Sequence, residues 1–427
     1  MSVQKDIAEL LKAEIIAQET AEKILNYYKK KGSTSPNRLF IVFGIFGAIL
    51  VGLGIILILA HNWDELSRGT KVFFAFLPLL AGQVLSGFTL LKRQSSTAWR
   101  ESSSAFLFFA VGASIALVSQ IYNIPGNAGS FMLTWMLLCI PLVYLMKSSI
   151  TSLLYIAGIT YYAVNVGYWS HPTEGSNLFW LLLFAVLPHY YNLYKKKPDS
   201  NFLNFHHWLV PLSVIISLGT VTERTGELMF ISYLSLFGLF YLIGDLYFFK
   251  QQKLITNGYK ILGTLGTISL LLALSFNWFW DDLISKDLAF YGLFAAPEFY
   301  VSSIISIAAG IMLFLQHKGK ALSAFNPFSY VFILFIIIFF AGLFSPIAVV
   351  LINILVFSIG ILIINDGVKQ DNLGLLNAGL LVIVALVACR FFDSNISFVI
   401  RGLLFVSVGI GFFAANYLIL KKRKRNE

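Results

Sequence analysis

Long apolar runs separated by short polar connectors recur from residue 39 to residue 420. A helix rises about 1.5 Å per residue and the hydrocarbon core of a bilayer is roughly 30 Å thick, so runs of about 18 residues match the length of a crossing. Candidate spans lie at 39–60, 72–91, 105–122, 131–146, 149–168, 178–194, 207–222, 228–249, 257–276, 299–316, 328–344, 346–364, 373–389 and 397–420. The least clear are 207–222, which holds Pro211 and opens at His206–His207, and the pair joined at Ser345–Pro346. The pattern predicts an all-α polytopic integral membrane protein with about fourteen transmembrane helices, in a range of about 12–14.

Residues 1–38 are polar and lysine-rich, without the short apolar core and small-residue cleavage site of a signal peptide. Within them Ile7, Leu10, Leu11, Ile15 and Ile16, then Ala21, Ile24, Leu25 and Tyr28, recur at helical spacing. That spacing predicts two amphipathic helices joined near Ala17–Glu19, a cytoplasmic hairpin. The hairpin is either a docking segment for a protein partner or a solvated segment that fixes orientation.

Composition agrees with the pattern: of 427 residues 58% are hydrophobic and 12% charged, too few charges to cover a water-facing surface. The formal charge of +10 raises the question of nucleic acid, but no soluble domain carries a basic face, so none is expected as a partner. Topology explains the charge. With the N-terminus inside, only Arg68, Lys71, Arg224, Lys286, Arg390 and Arg401 of the 31 lysines and arginines fall outside. Such a bias predicts both termini in the cytoplasm and residence in a bacterial inner membrane, with membrane lipids as partners. Cys139 and Cys389 both sit in apolar runs, without C-x-x-C or Cys/His spacing, so neither a disulfide framework nor a metal site is indicated.

An internal echo bears on organisation. Ile45–Leu66 and Leu262–Leu283 both place glycines early, then a Leu/Ile run, then Asn-Trp, two acids and Leu. Asn62–Trp63 answers Asn277–Trp278, and Asp64–Glu65 answers Asp281–Asp282. A duplicated unit in parallel orientation, as in many transporters, accounts for this, and so does the ordinary aromatic belt at helix exits. The duplication implies a hairpin at 1–38, six helices at 39–194, a two-helix insert at 195–256, six helices at 257–420 and a basic tail at 421–427.

Candidate chemistry gathers at the outer ends. In His61-Asn62-Trp63-Asp64-Glu65-Leu66-Ser67-Arg68, His61 is a candidate general base oriented by Asp64, because an imidazole titrates near neutrality beside a carboxylate. Alternatively Trp63 anchors the interface and Asp64 caps a short helix leading into Arg68. Arg390, Asp393 and Arg401 bring two cations and a carboxylate to the outer interface, either to recognise an anionic headgroup or to pin a hairpin as a snorkelling pair. Asn62, Trp63, Glu65, Arg68, Asn277, Trp278, Trp280, Asp281 and Asp282 complete the lipid- or substrate-binding candidates.

Within the spans Gln83, Gln120, Asn165, Asp245 and Asn353 are the polar exceptions, and no unambiguous midplane acid or histidine supports ion coupling. His189, beside Tyr190–Tyr191, has an interfacial profile. Pro78, Pro141, Pro188 and Pro211 are candidate kinks, and Gly263–Gly266 a close-packing face. Phosphate-loop, zinc-helix and nucleophile-elbow motifs are missing, so no cofactor is indicated.

The N-terminal hairpin ending in Tyr27–Tyr28, the glycine-rich first span and the loop His61-Asn62-Trp63-Asp64-Glu65-Leu66 resemble domain-of-unknown-function family 2157 of predicted bacterial membrane proteins. The resemblance covers about the first 150 residues; the stretch Arg390–Asp393, Arg401–Gly402 and the basic tail is similar to the C-terminal end of longer members. Members usually carry Ser or Thr where this chain has Ala17. It implies the topology and no activity. Three functions follow from the residues: binding or translocation of a lipid-linked or amphiphilic substrate; an acyl or glycosyl transferase using His61 and Asp64; and a non-catalytic scaffold or assembly factor.

Overall fold

A computed structural model describes residues 7, 10–13, 15–33, 63–169, 174–285, 294, 296–319, 326–391, 397–400, 402–403, 405–407, 409–411, 413 and 417. The expected spans at 39–60 and, in large part, 397–420 lie outside them. By chain contacts the molecule divides into Met1–Ala75 and Phe76–Glu427.

In the first unit, helical residues around Leu10–Lys12 give way to a bend at Ile15–Ile16 and then to α1 (Gln18–Ser33). Ile7 and Ala21 are buried, while Leu10, Leu11 and Ile15 are exposed. Trp63–Leu66 forms a turn in which Lys71 Nζ lies 5.8 Å from the Trp63 ring centre. The following helix, α2 (Arg68–Lys92), is capped by the Ser67 hydroxyl, which accepts from Thr70 N at 3.3 Å.

The described residues of the second unit form helices joined by turns, with no strand among them. From α2 the chain continues through α3 (Thr97–Ile121), α4 (Ala128–Leu145), α5 (Ser149–Val164), α6 (Leu178–Lys196), α7 (Asn201–Leu218) and α8 (Leu228–Gly244). There follow α9 (Gly258–Ala273), α10 (Asn277–Ser285), α11 (Pro297–His317), α12 (Val331–Gly342), α13 (Ile347–Lys369) and α14 (Leu373–Phe391). Each predicted span from the second to the thirteenth falls on one of these helices. Among the described residues eight helices are long and apolar enough to cross a membrane, or up to nine if α9 and α10 form one bent span. The predicted 207–222 span starts too late: α7 begins six residues earlier at Asn201, capped by Ser200, which accepts from Phe202 N at 3.1 Å, so His206, His207 and Pro211 all lie inside the helix.

Burial is inverted relative to a water-soluble fold. Ile304, Ile307, Ile311 and Phe314 point outward from α11, whereas Ser104, Thr151, Ser152, Ser232 and Ser235 are buried. Lipid tails are as apolar as leucine, so helices associate through small-residue packing and hydrogen bonds across the interface. Accordingly, Ser104 pairs with Thr151 at 2.6 Å between α3 and α5, and Thr160 with Ser213 at 2.6 Å between α5 and α7. Ser232 and Ser235 of α8 pair with Ser302 and Ser306 of α11 at 2.7 Å each.

The two largest apolar cores among the described residues lie around α5, with Met136, Tyr155, Ile159 and Phe179, and around α8, α12 and α13, with Trp280, Phe335 and Phe339. The segment expected as a two-helix insert is where they meet: α7 packs on both α5 and α9, and α8 on α9, α11 and α12.

The glycine face of α9 serves this packing. A Cβ at Gly263 would stand 2.7 Å from both Phe237 O and Tyr241 N, backbone atoms that cannot move aside. Gly263→Ala should therefore cost about 1–3 kcal/mol through overpacking. Gly310→Ala on α11, where a Cβ meets nothing within 4 Å, should leave the thermal midpoint in detergent unchanged or raised.

At the end of α8, Asp245 bonds Lys260 at 2.9 Å and Lys250 at 3.3 Å. Burial pushes its carboxyl up, but the Lys260 hydrogen bond and the two ammonium charges outweigh this and hold it below the usual carboxylate range. A depressed folded-state value means stability present above the ordinary carboxylate range and lost as pH falls through the folded value. Asp245→Asn should cost about 1 kcal/mol at neutral pH and flatten the acid limb of a plot of thermal midpoint against pH.

Candidate functional site

The densest polar cluster lies at the lysine-bearing end of the second unit, and its origin is the α6–α7 hairpin. The chain leaves α6 at Lys196 and enters α7 at Asn201, so the helices run antiparallel as close neighbours. Tyr190 stands six residues before that exit and His207 six residues after that entry, which brings them level at roughly 9 Å from the helix ends. The Tyr190 hydroxyl meets His207 Nδ1 at 2.6 Å and reaches Tyr259 Oη at 3.3 Å. Tyr259 arrives there because Gly258 has no side chain: a Cβ at Gly258 would collide with the His207 backbone.

The neighbouring His206 ring stacks on Tyr190, with centroids 5.7 Å apart and planes at 12°. His206 Nδ1 faces Phe202 O at 2.7 Å; a carbonyl can only accept, so in the neutral ring Nδ1 carries the hydrogen. Nε2 then accepts from the Ser152 hydroxyl at 2.9 Å. This is a serine–histidine pair in hydrogen-bonding reach, yet both residues are wholly buried, which suits a structural tie better than attack on a substrate.

His207 differs. It lines a cavity of about 720 Å³ together with Leu187, Tyr190, Tyr191, Tyr194, Ile243, Leu246, Tyr247, Phe248, Phe249, Gln251 and Tyr259. Its ring is 4.7 Å from that of Phe249 and 5.9 Å from that of Phe248. Its Nε2 is buried and has no hydrogen-bond partner, and the same holds for His189 Nε2 on α6. No charged side chain lines the cavity. A larger cavity of about 830 Å³ among α2, α3 and α4 presents Gln83, Ser119, Asn127, Ser130 and Thr134 but no ionisable group.

Buried carboxylates brace both ends of the bundle. Glu101 of α3 accepts from Ser148 Oγ at 2.6 Å, Ser149 N at 3.1 Å and Ile150 N at 2.8 Å, closing the N-terminus of α5. Glu298, in the first turn of α11, accepts from the backbone N–H groups of Glu223, Arg224 and Thr225 at 2.6–2.9 Å. Neither was singled out from sequence, because a lone acid near a helix start reads as surface.

The sequence-predicted residues are dispersed. His61, Asn62, Asp393 and Arg401 lie outside the described residues. Asp64, Glu65 and Arg68 are exposed; in place of a short helix capped by Asp64 there is a turn at Trp63–Leu66, and Ser67 caps α2. Trp278, Asp281 and Asp282 are exposed on α10, whereas Trp280 is wholly buried and donates to Leu274 O at 2.8 Å.

The structure does join Arg390 to this region. The chain bends by 70° between α9 and α10, and Arg390 Nη2 donates to Ser275 Oγ at 3.1 Å with its guanidinium 4.6 Å from the Phe276 ring centre. Asn353 Nδ2 donates to Ser275 O at 3.0 Å. The break is thus supported from α13 and α14. Of its first sequence copy only Trp63–Leu66 is described, as a turn where the second copy is helical.

The carboxylate braces yield a prediction. Glu101→Gln keeps the shape but offers a single acceptor oxygen to three donors and should lower stability by about 2–4 kcal/mol, read as a fall in thermal midpoint in detergent.

Comparison with known proteins follows the geometry. No curated protein and no solved structure matches the chain. A family model does match, over about the first third: residues 8–152 are similar to the family described as Predicted membrane protein (DUF2157).

Proposed function

We propose that the protein is a transporter-like inner-membrane protein of a bacterium, crossing about fourteen times with both termini inside, that binds or moves a lipid-linked or amphiphilic substrate. The observation that carries this reading is the aromatic cavity of about 720 Å³ at the lysine-bearing end, lined by Tyr191, Tyr194, Leu246, Tyr247, Phe248 and Phe249. Binding sites for small molecules are largely apolar with a few placed polar groups, and a volume of several hundred Å³ is typical. Tyr191, Tyr194, Leu246 and Tyr247 at its mouth are exposed on the bundle, so an apolar tail has a way out toward lipid. The bend at Ser275, held by Asn353 and Arg390, adds a discontinuous helix of the kind that builds substrate sites in transporters.

A second reading rests on the N-terminal unit. Leu10, Leu11 and Ile15 stay exposed on a charged hairpin, which suits docking of a cytoplasmic protein partner through residues 1–38.

A diazirine-bearing amphiphile reconstituted with the full-length protein should label Tyr191, Tyr194, Leu246 and Tyr247 well above the lipid-facing Ile304 and Ile311. Tyr194→Ala combined with Tyr247→Ala should cut that labelling severalfold. Uniform labelling of both surfaces, as annular lipid gives, overturns the reading.

A further inference from the structure

We infer that Arg100 and Lys147 form a binding site for a phosphate ester, in the small cavity where the α2–α3 turn meets the end of α4. The site is separate from the aromatic cavity and does not depend on what that cavity binds.

The cavity, of about 330 Å³, is lined by Gln94 and Ser95 of the α2–α3 turn, Arg100 of α3 and Lys147 after α4, with Leu90 and Leu145 as its apolar part. It thus presents two cations and no carboxylate, whereas the two larger cavities present no charged side chain. A volume of that order suffices for a phosphate on a short polar head.

Both cations are uncommitted. Arg100 is half-buried, and neither it nor Lys147 takes part in an ion pair among the described residues. Nε of Arg100 is sealed in the protein without a hydrogen-bond partner, whereas its two Nη groups have neither partner nor cover and are the part open to the cavity. The carboxylate next to it in sequence is already occupied: Glu101 takes the Ser148 hydroxyl and the N–H groups of Ser149 and Ile150. Lys92 and Arg93, exposed at the end of α2, add positive potential.

These donors select a tetrahedral oxyanion. A guanidinium presents a planar fork to two oxygens and an ammonium a point charge to a third, and the Gln94 amide and Ser95 hydroxyl offer further donors. A carboxylate, with two oxygens, would leave part of that set unused. The surroundings place the site at headgroup level. Phe88 and Trp99, both exposed, meet edge to face at 5.6 Å beside it, as aromatic side chains do at a membrane surface. Leu91 and Leu145 are exposed on the adjoining helices, so acyl tails have an apolar flank to follow. Basic pockets between helix ends are a recurrent way of holding lipid phosphates.

The test uses the full-length protein with Ser95→Cys in dodecyl maltoside, following maleimide labelling of position 95 by peptide mapping. Three probes are added separately: dioleoyl phosphatidylglycerol, glycerol 3-phosphate and the phosphate-free dioleoylglycerol. Asp199→Cys, on the α6–α7 connector, reports any general effect of added negative charge. At least one of the two phosphate esters should slow labelling at position 95 and not at position 199, and dioleoylglycerol should slow neither. Protection by the lipid alone identifies a membrane headgroup, and protection by glycerol 3-phosphate identifies a site that also reads the soluble ester. Arg100→Gln should raise the half-protecting concentration at least about ten-fold. Lys147→Gly should do the same with the thermal midpoint unchanged or raised, because Lys147 sits at φ 48°, a left-handed conformation that glycine takes freely. That variant carries the test should Arg100→Gln fail to fold. Protection by neither ester, equal slowing at position 199, equal protection by dioleoylglycerol, or protection that survives the substitutions overturns the inference.

Discussion

Hydrocarbon offers no hydrogen bonds, so each polar group carried into a bilayer must find its partner within the protein. That constraint organises the second unit more than apolar packing does. Serine and threonine hydroxyls meet in pairs between α3 and α5, α5 and α7, and α8 and α11, fixing which helices are neighbours and at what height. Carboxylates at Glu101 and Glu298 gather backbone N–H groups that the helix starts and loops would otherwise leave exposed to lipid. At the bend after α9, carbonyls released from the helical ladder are taken up by Trp280 and Asn353.

Against that background, the few unpartnered atoms carry information. His189 Nε2 and His207 Nε2 belong to the antiparallel pair α6 and α7, and both are buried without a hydrogen-bond partner. The serine–histidine pair one residue away is sealed and satisfied at both nitrogens, whereas His207, equally buried, is satisfied at Nδ1 alone. Adjacent histidines on one helix therefore have different fates, because α7 turns them about 100° apart, one toward α5 and the other toward α8 and α9.

The helical class and the intervals of the described helices were legible because hydrophobic length is a strong, local signal. Ser–Thr pairing was not, since a serine within an apolar run looks the same whether it meets a partner or its own carbonyl. The start of α7 was misjudged for a related reason: Asn204, His206 and His207 lower the hydropathy of its first turns, although Ser200 marks the cap. The proposed outer sites drew attention because charges stand out in an apolar sequence, yet Trp280 turned out to be an internal strut and Asp64 an exposed turn residue. The histidine–tyrosine cluster was readable in one respect. Tyr190 and His207 are equidistant from the connector after Lys196, which puts them at one height, while their facing each other depends on how α6 and α7 are turned and shows in the structure alone.

That equality of height makes the first turns of α7 a gauge of registry. One residue inserted between Asn201 and His207 would shift the imidazole by about 1.5 Å and about 100° relative to the helix start. The ring would leave the Tyr190 hydroxyl although no residue touching it had changed. A single residue added in the helix at its surface end would thus reach the interior, whereas one added to the connector Lys197–Ser200 would be absorbed there.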